Sequence, residues 1–123
     1  MSKNGYRELT VWQKSRDLAV SVYRTTTLIT AAHDYSLADQ IRRSAVSIPS
    51  NVAEGDERHT DREAVRFFYI AKGSLAELRT QLELAHLVGY LDLQQWQELE
   101  SDCALVGRML GSLIKVRSST YHP

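Results

Sequence analysis

Gln40-Ile-Arg-Arg-Ser-Ala-Val-Ser-Ile-Pro-Ser-Asn-Val-Ala-Glu-Gly55 is the stretch on which the fold class turns. Ile41, Ala45, Ile48 and Val52, preceded by Leu37, recur every three or four residues, the period of one face of an α-helix. Gln40, Arg43, Ser47, Asn51 and Glu54 repeat beside them at the same period. The segment therefore reads as an amphipathic helix. Pro49 lies inside the pattern, where it removes one backbone hydrogen bond and presses on the carbonyl of Ala45, so a kink or break is expected there. Gly55 predicts the C-terminal stop. Ser36, with Asp39 three residues on, predicts the N-terminal cap.

The same period continues on both sides. Val11, Leu18, Val22 and Ile29, with Trp12, Ala19 and Tyr23 alongside, predict a helix from about Glu8 to Thr30 capped by Thr10. The β-branched run Thr25-Thr26-Thr27 weakens its end. After the polar loop Asp56-Glu-Arg-His-Thr60, Thr60 and Glu63 form a capping box for a third helix. Its apolar positions run from Ala64 through Phe67, Phe68, Ala71, Leu75, Leu78 and Leu82 to Ala85, and Gly89 ends it. Asp92 then caps a fourth helix carrying Leu93, Trp96, Leu99, Cys103, Val106, Leu110 and Leu113.

No segment alternates with period two, so no strand is expected. The expectation is an all-α fold, an antiparallel up-down-up-down four-helix bundle kinked at Pro49. It forms one domain over residues 1–117, with a disordered tail over 118–123. At 123 residues and 43% hydrophobic the chain can bury one real core without disulfide or metal staples.

Charge and cysteine content narrow the function classes. Fifteen Lys and Arg balance fifteen Asp and Glu, a net charge of +0, which lacks the basic excess of a dedicated nucleic-acid binder. Twelve of the bases fall at or before Arg79, so an anion-binding surface would belong to the first two-thirds of the chain. One cysteine, Cys103, allows no internal disulfide and suits a reducing compartment. Met1–Glu8 has no apolar signal region and no apolar run reaches membrane-spanning length. A cytoplasmic protein is expected.

No catalytic constellation is visible, and no cofactor is implied. His33, His59, His86 and His122 are scattered, without metal-type pairing at helical spacing. Glu83-Leu-Ala-His86 matches the Glu-x-x-His motif of di-iron bundles, but a di-iron site needs a second copy on another helix. A metal-dependent bundle enzyme is thus the weakest of three readings, behind a non-enzymatic oligomeric module associated with nucleic acid and a purely structural or protein-interaction oligomer without nucleic-acid binding. Paired carboxylates such as Asp56-Glu57 and Asp61, Glu63 have a structural reason at a helix N-terminus. Gly73, Gly107 and Gly111 lie in helix interiors at a cost of about 1 kcal/mol each, which close helix approach would offset.

Two polar sets exceed what a generic bundle needs. Gln40, Arg43, Ser47, Asn51 and Glu54 are richer in Gln, Ser and Asn than an ordinary solvated face, and suit a hydrogen-bonded contact between protein surfaces. They are the candidate oligomer interface. Arg42, Arg43, Arg58, Arg62 and Arg66 are the candidate nucleic-acid contacts, their forked guanidinium groups matching phosphate. Ion pairing with Asp56, Glu57, Asp61 and Glu63 is the competing explanation.

Glu8-Leu-Thr-Val-Trp-Gln-Lys14, the Gln40–Gly55 block, Arg66-Phe-Phe-Tyr-Ile-Ala-Lys-Gly-Ser-Leu-Ala-Glu-Leu78 and Leu87-Val-Gly-Tyr-Leu91 together resemble a family of small bacterial four-helix-bundle proteins. Its members are encoded in intervening sequences of 23S ribosomal RNA genes or stand alone. The resemblance runs from about Tyr6 to Leu113. It implies a ring-shaped homopentamer without enzymatic activity. A related branch, the accessory proteins of diversity-generating retroelements, binds nucleic acid and a reverse transcriptase through a basic surface. Within the matching block stand Gln40, Arg42, Arg43, Ser47, Pro49, Asn51, Glu54 and Gly55. Asp56-Glu57 departs from the more basic members, as does the neutral net charge.

Overall fold

A computed structural model describes residues 5–119. A 3-10 turn, Gly5–Glu8, precedes α1 (Thr10–Thr25), the single-turn α2 (Thr27–Ala31), α3 (Tyr35–Asp56), α4 (Asp61–Leu87) and α5 (Leu93–Ser118). Among the described residues there is no strand. The four long helices close a ring in which α1 packs on α3, α3 on α4, α4 on α5 and α5 on α1. Contacts between neighbours pair rising residue numbers with falling ones. Ser47 meets Ser74, Gly55 faces Phe68, Arg79 pairs with Glu100 and Asp61 with Arg117.

The core is built from the stripes that the periodicity marks. Val22, Ile29, Ile41, Ala45, Ile48, Val52, Phe68, Ala71, Leu78, Leu82 and Leu110 are all fully enclosed. Each Leu, Ile, Val or Phe buried this way contributes roughly 1.5–3 kcal/mol relative to exposure. That burial is what keeps α3 helical through Pro49, whose cost in a helix interior is about 3 kcal/mol.

Several helix ends differ from the sequence reading. Leu9, not Thr10, is the N-cap of α1, with extended backbone and no side-chain cap; Thr10 is the first helical residue. The expected continuous first helix divides at Thr26, in the middle of the threonine run. There the buried Thr26 hydroxyl donates to Val22 O at 2.8 Å, competing with the helix's own pattern.

Asp34, not Ser36, caps α3 by accepting from Leu37 N at 3.1 Å, because a carboxylate makes the stronger charge-assisted bond. Gly55 is not the stop. It sits inside α3, buried against α4, and the helix runs on to Asp56. Thr60 does cap α4, accepting from Glu63 N at 3.2 Å, although the Glu63 carboxylate meets the Thr60 hydroxyl rather than the cap backbone. Asp92 and Gln95 form a full capping box on α5. Ser118, expected in a disordered tail, closes α5, and residues 120–123 lie outside the described residues.

Of the glycines, Gly107 allows a close approach, since an added Cβ would meet Leu75 Cδ2 at 3.3 Å. Gly73 and Gly111 face open space, so the expected contact through both Gly107 and Gly111 reaches only the first. No helix is long and apolar enough to cross a membrane among the described residues.

Candidate interaction surfaces

The polar ladder on α3 borders α4, and its middle is already spent within the chain. Ser47 Oγ lies 2.8 Å from Ser74 Oγ. Asn51 Nδ2 donates to Ser47 O at 2.8 Å and to Ser47 Oγ at 3.0 Å. The Ser47–Ser74 bond ties α3 to α4 and Asn51 braces it from within α3, beside the apolar stripe, where uncharged side chains can be half-buried at low cost. The ends of the ladder stay exposed. Arg43 Nε donates to Asp39 at 2.8 Å, and Arg58 donates to Glu54 at 3.0 Å, both one helical turn apart.

Between Gln40, Arg43 and Ser47 on α3 and Ser74, Glu77 and Gln81 on α4 lies a groove of about 290 Å³. Gln81 Oε1 is secluded there without a hydrogen-bond partner. The α4 half of the groove escaped the sequence reading. Its signal was present, since Ser74, Glu77 and Gln81 repeat at spacings of three and four on the outer side of the third helix.

The five arginines do not share one patch. Arg42 turns toward α1, where Nε donates to Thr26 Oγ1 at 2.8 Å and the guanidinium lies 5.0 Å from the Tyr23 ring centroid. It clamps the α1–α2 junction. Arg43 belongs to the α3–α4 groove, roughly 20 Å along the helix axis from the end of α3. Arg58, Arg62 and Arg66 gather at the corner between α3 and α4. Arg58 also lies 4.4 Å from the Phe67 ring centroid, while Arg62 and Arg66 are exposed and make no ion pair among the described residues.

Two of the four carboxylates expected to neutralise this corner, Asp56 and Asp61, are engaged by another arginine, while Glu57 and Glu63 stay exposed beside it. Arg117, from the last turn of α5, bonds Asp61 and lies 3.5 Å from the buried Asp56. It was missed in the sequence because its partners stand 61 and 56 residues away.

Nothing here assembles a reaction centre from the titratable groups singled out. His86 Nδ1 lies 2.9 Å from Leu91 O, and its ring stacks on Trp96 with centroids 5.0 Å apart. Among the described residues no three His, Cys, Asp or Glu side chains are grouped to hold a metal ion. His33 and His59 are exposed, and His122 lies outside the described residues. Cys103 is fully buried, and that burial pushes its thiol up to about 12, so it carries no thiolate near neutral pH.

Comparison with known proteins agrees with this architecture. The sequence model of the family described as 23S rRNA-intervening sequence protein matches residues 7–112. A crystal structure of a protein with unknown function from the S23 ribosomal protein family of Bacteroides thetaiotaomicron VPI-5482 superposes with a TM-score of 0.80. It is 25% identical, and the match covers 86% of this chain and 99% of that one. No curated protein matches the chain significantly.

Proposed function

The chain belongs to the 23S rRNA-intervening sequence protein family, and from that premise we propose that it is a non-enzymatic module that works by self-assembly, with the α3–α4 groove as the contact between copies. The observation that carries this is Gln81 Oε1, a secluded acceptor without a donor among the described residues, beside a groove lined by half-buried Ser47 and Ser74 and by exposed Gln40, Arg43 and Glu77. Secluded polar atoms are nearly always paired, and a turn of the Gln81 side chain into the groove would bring this acceptor to a donor from a second copy. Val46 and Ile70, both more than two-fifths exposed, flank the same two helices and supply apolar contact. The number of copies, five, rests on the family resemblance alone.

Light scattering tests the assembly. Gln40→Glu with Asn51→Glu puts two extra carboxylates on the contact face and should reduce the particle to single chains while circular dichroism keeps its helical signal. An unchanged particle mass would remove the groove from the interface.

A second reading is favoured by Arg62 and Arg66, exposed and without ion pairs among the described residues at the corner they share with Arg58. This corner is the surface for nucleic acid. One corner is a weak phosphate contact, but repetition around a ring multiplies it through effective concentration. Titration against RNA and DNA at two salt concentrations tests it, because binding through phosphates must weaken steeply with salt. Absence of binding at low salt refutes it.

A further inference from the structure

A groove of about 420 Å³ runs between α4 and α5, lined by Lys72, Leu75, Ala76 and Arg79 on one side and Ala104, Gly107 and Arg108 on the other. Leu75 is buried at its floor, and Ala76, Ala104 and Gly107 keep it open because their side chains are short or absent. Every charged residue of this lining is a base. The grooves that hold Arg24, Lys14 and Arg43 each include acids as well.

Two of the three bases are not neutralised. Arg79 is held by Glu100 across the seam. Lys72 and Arg108 are exposed and form no ion pair among the described residues; Lys72 has the Tyr69 ring, with Nζ 6.0 Å from its centroid. An acid three or four residues away is the usual neutralising neighbour on a helix. Lys72 has Phe68, Tyr69, Leu75 and Ala76 at those spacings, and Arg108 has Ala104, Leu105, Gly111 and Ser112. Gly107 lies against Leu75 and Glu100 against Arg79, so the helices are antiparallel and Lys72 falls at the Arg108 end. Arg79 stands two turns further along α4, about 10 Å away. The groove thus has one doubly cationic end and an aliphatic floor leading from it.

We propose that this groove binds a free aliphatic acid, its anionic head between Lys72 and Arg108 and its chain along Leu75, Ala76, Ala104 and Gly107. Like charges gathered in a groove raise a potential that an anion lowers, and a carboxylate or phosphate head accepts hydrogen bonds from both. The lining has no aromatic ring for a nucleobase to stack on and no uncharged polar side chain to bond its edges. Its volume is that of a small-ligand site. Arg108 also borders a groove of about 510 Å³ with Leu9, Met109 and Leu113, but no other charged residue lines that one. The site requires neither self-assembly nor the arginine corner.

The test follows amide shifts of the full chain with sodium decanoate below its micelle concentration. Sodium acetate supplies the head alone and decanol the chain alone. Phosphatidylglycerol vesicles present the same chemistry fixed in a bilayer. Decanoate should bind saturably, at least about tenfold more tightly than acetate or decanol. The shifts should concentrate in residues 72–79 and 104–108, and the vesicles should not sediment the chain. Lys72→Gln with Arg108→Gln, both exposed, should weaken binding about tenfold and reduce its dependence on salt. Ala104→Leu should weaken it by filling the floor, and Ala76→Leu does the same from α4 if the first variant loses helical circular dichroism.

Several outcomes overturn the proposal. Decanoate fails to bind saturably, decanol binds equally well, or the glutamine variant binds decanoate unchanged. Shifts centred on Leu9, Met109 and Leu113 would move the ligand to the neighbouring groove. Sedimentation with vesicles would make the source a membrane, and unchanged binding in both leucine variants would remove the floor. Loss of particle mass by the glutamine variant in light scattering would make the groove a contact between copies.

Discussion

A methyl group on Gly55 would stand 2.7 Å from Cε1 of Phe68 and 2.9 Å from the carbonyl oxygen of Ala64. The contact lets α3 and α4 approach closely just above the charged corner, and it involves a rigid ring and a backbone atom that cannot step aside. Gly55→Ala should therefore destabilise the fold by about 1–3 kcal/mol, the usual range for overpacking a filled core. Chemical denaturation measures it, and a variant as stable as the parent would show that the two helices are not locked here.

Gly73 and Gly111 should behave oppositely. Both lie in helix interiors with open space where a Cβ would go. Gly73→Ala and Gly111→Ala should each raise stability by about 1 kcal/mol, since alanine removes backbone freedom from the unfolded chain. A fall in melting temperature at either position would mean that something packs against that glycine in the assembled protein.

Thr26 and Arg42 act as a pair, the guanidinium held by a buried hydroxyl sixteen residues away. Thr26→Val keeps the shape and removes the acceptor. It should cost about 1–3 kcal/mol, most of it from leaving the Arg42 donor short of a partner. Arg42→Met should destabilise similarly yet leave any RNA binding unchanged, whereas Arg62→Ala with Arg66→Ala should do the reverse. Equal losses of binding in both variants would return Arg42 to the phosphate-contacting set.

Cys103 predicts a pH dependence. Its thiol is pushed up to about 12 in the fold, chiefly by burial, with Glu100 adding to the shift, against an ordinary value of 9.0. Above that ordinary value the unfolded chain loses the proton while the folded chain keeps it. Stability should therefore be unaffected at neutral pH and fall by up to about 1.4 kcal/mol per pH unit between roughly 9 and 12. Cys103→Ala should flatten that slope, and the native thiol should resist alkylation at pH 8 until denaturant is added. Rapid labelling of the native protein would contradict the burial.

Much of the fold was legible because helical period is a property of neighbouring residues. Ile41, Ala45, Ile48 and Val52 announce their shared face within one segment, and all four are buried. Helix ends were less legible. Asp34 and Ser36 both offer a side-chain oxygen to the same turn, and only the competition between them selects Asp34. Gly55 misled because a glycine near a helix end has two physical uses, a stop or a close approach, and only the helix packed against it tells which.

The candidate surfaces divide along the same line. By itself the sequence determined which residues form helices, which stripes are apolar, where the arginines and the polar ladder fall, and that residues 80–107 hold acids without bases. The tertiary structure alone decided which polar groups are already occupied. Ser47 is spent on Ser74, Arg42 on Thr26, and Asp56 and Asp61 on Arg117, across separations of 27, 16, 61 and 56 residues. Such partners meet only after four stripes have closed one core, so no local pattern can name them. Among the described residues, the α3–α4 groove and the side chains of Arg62 and Arg66 remain open after that closure.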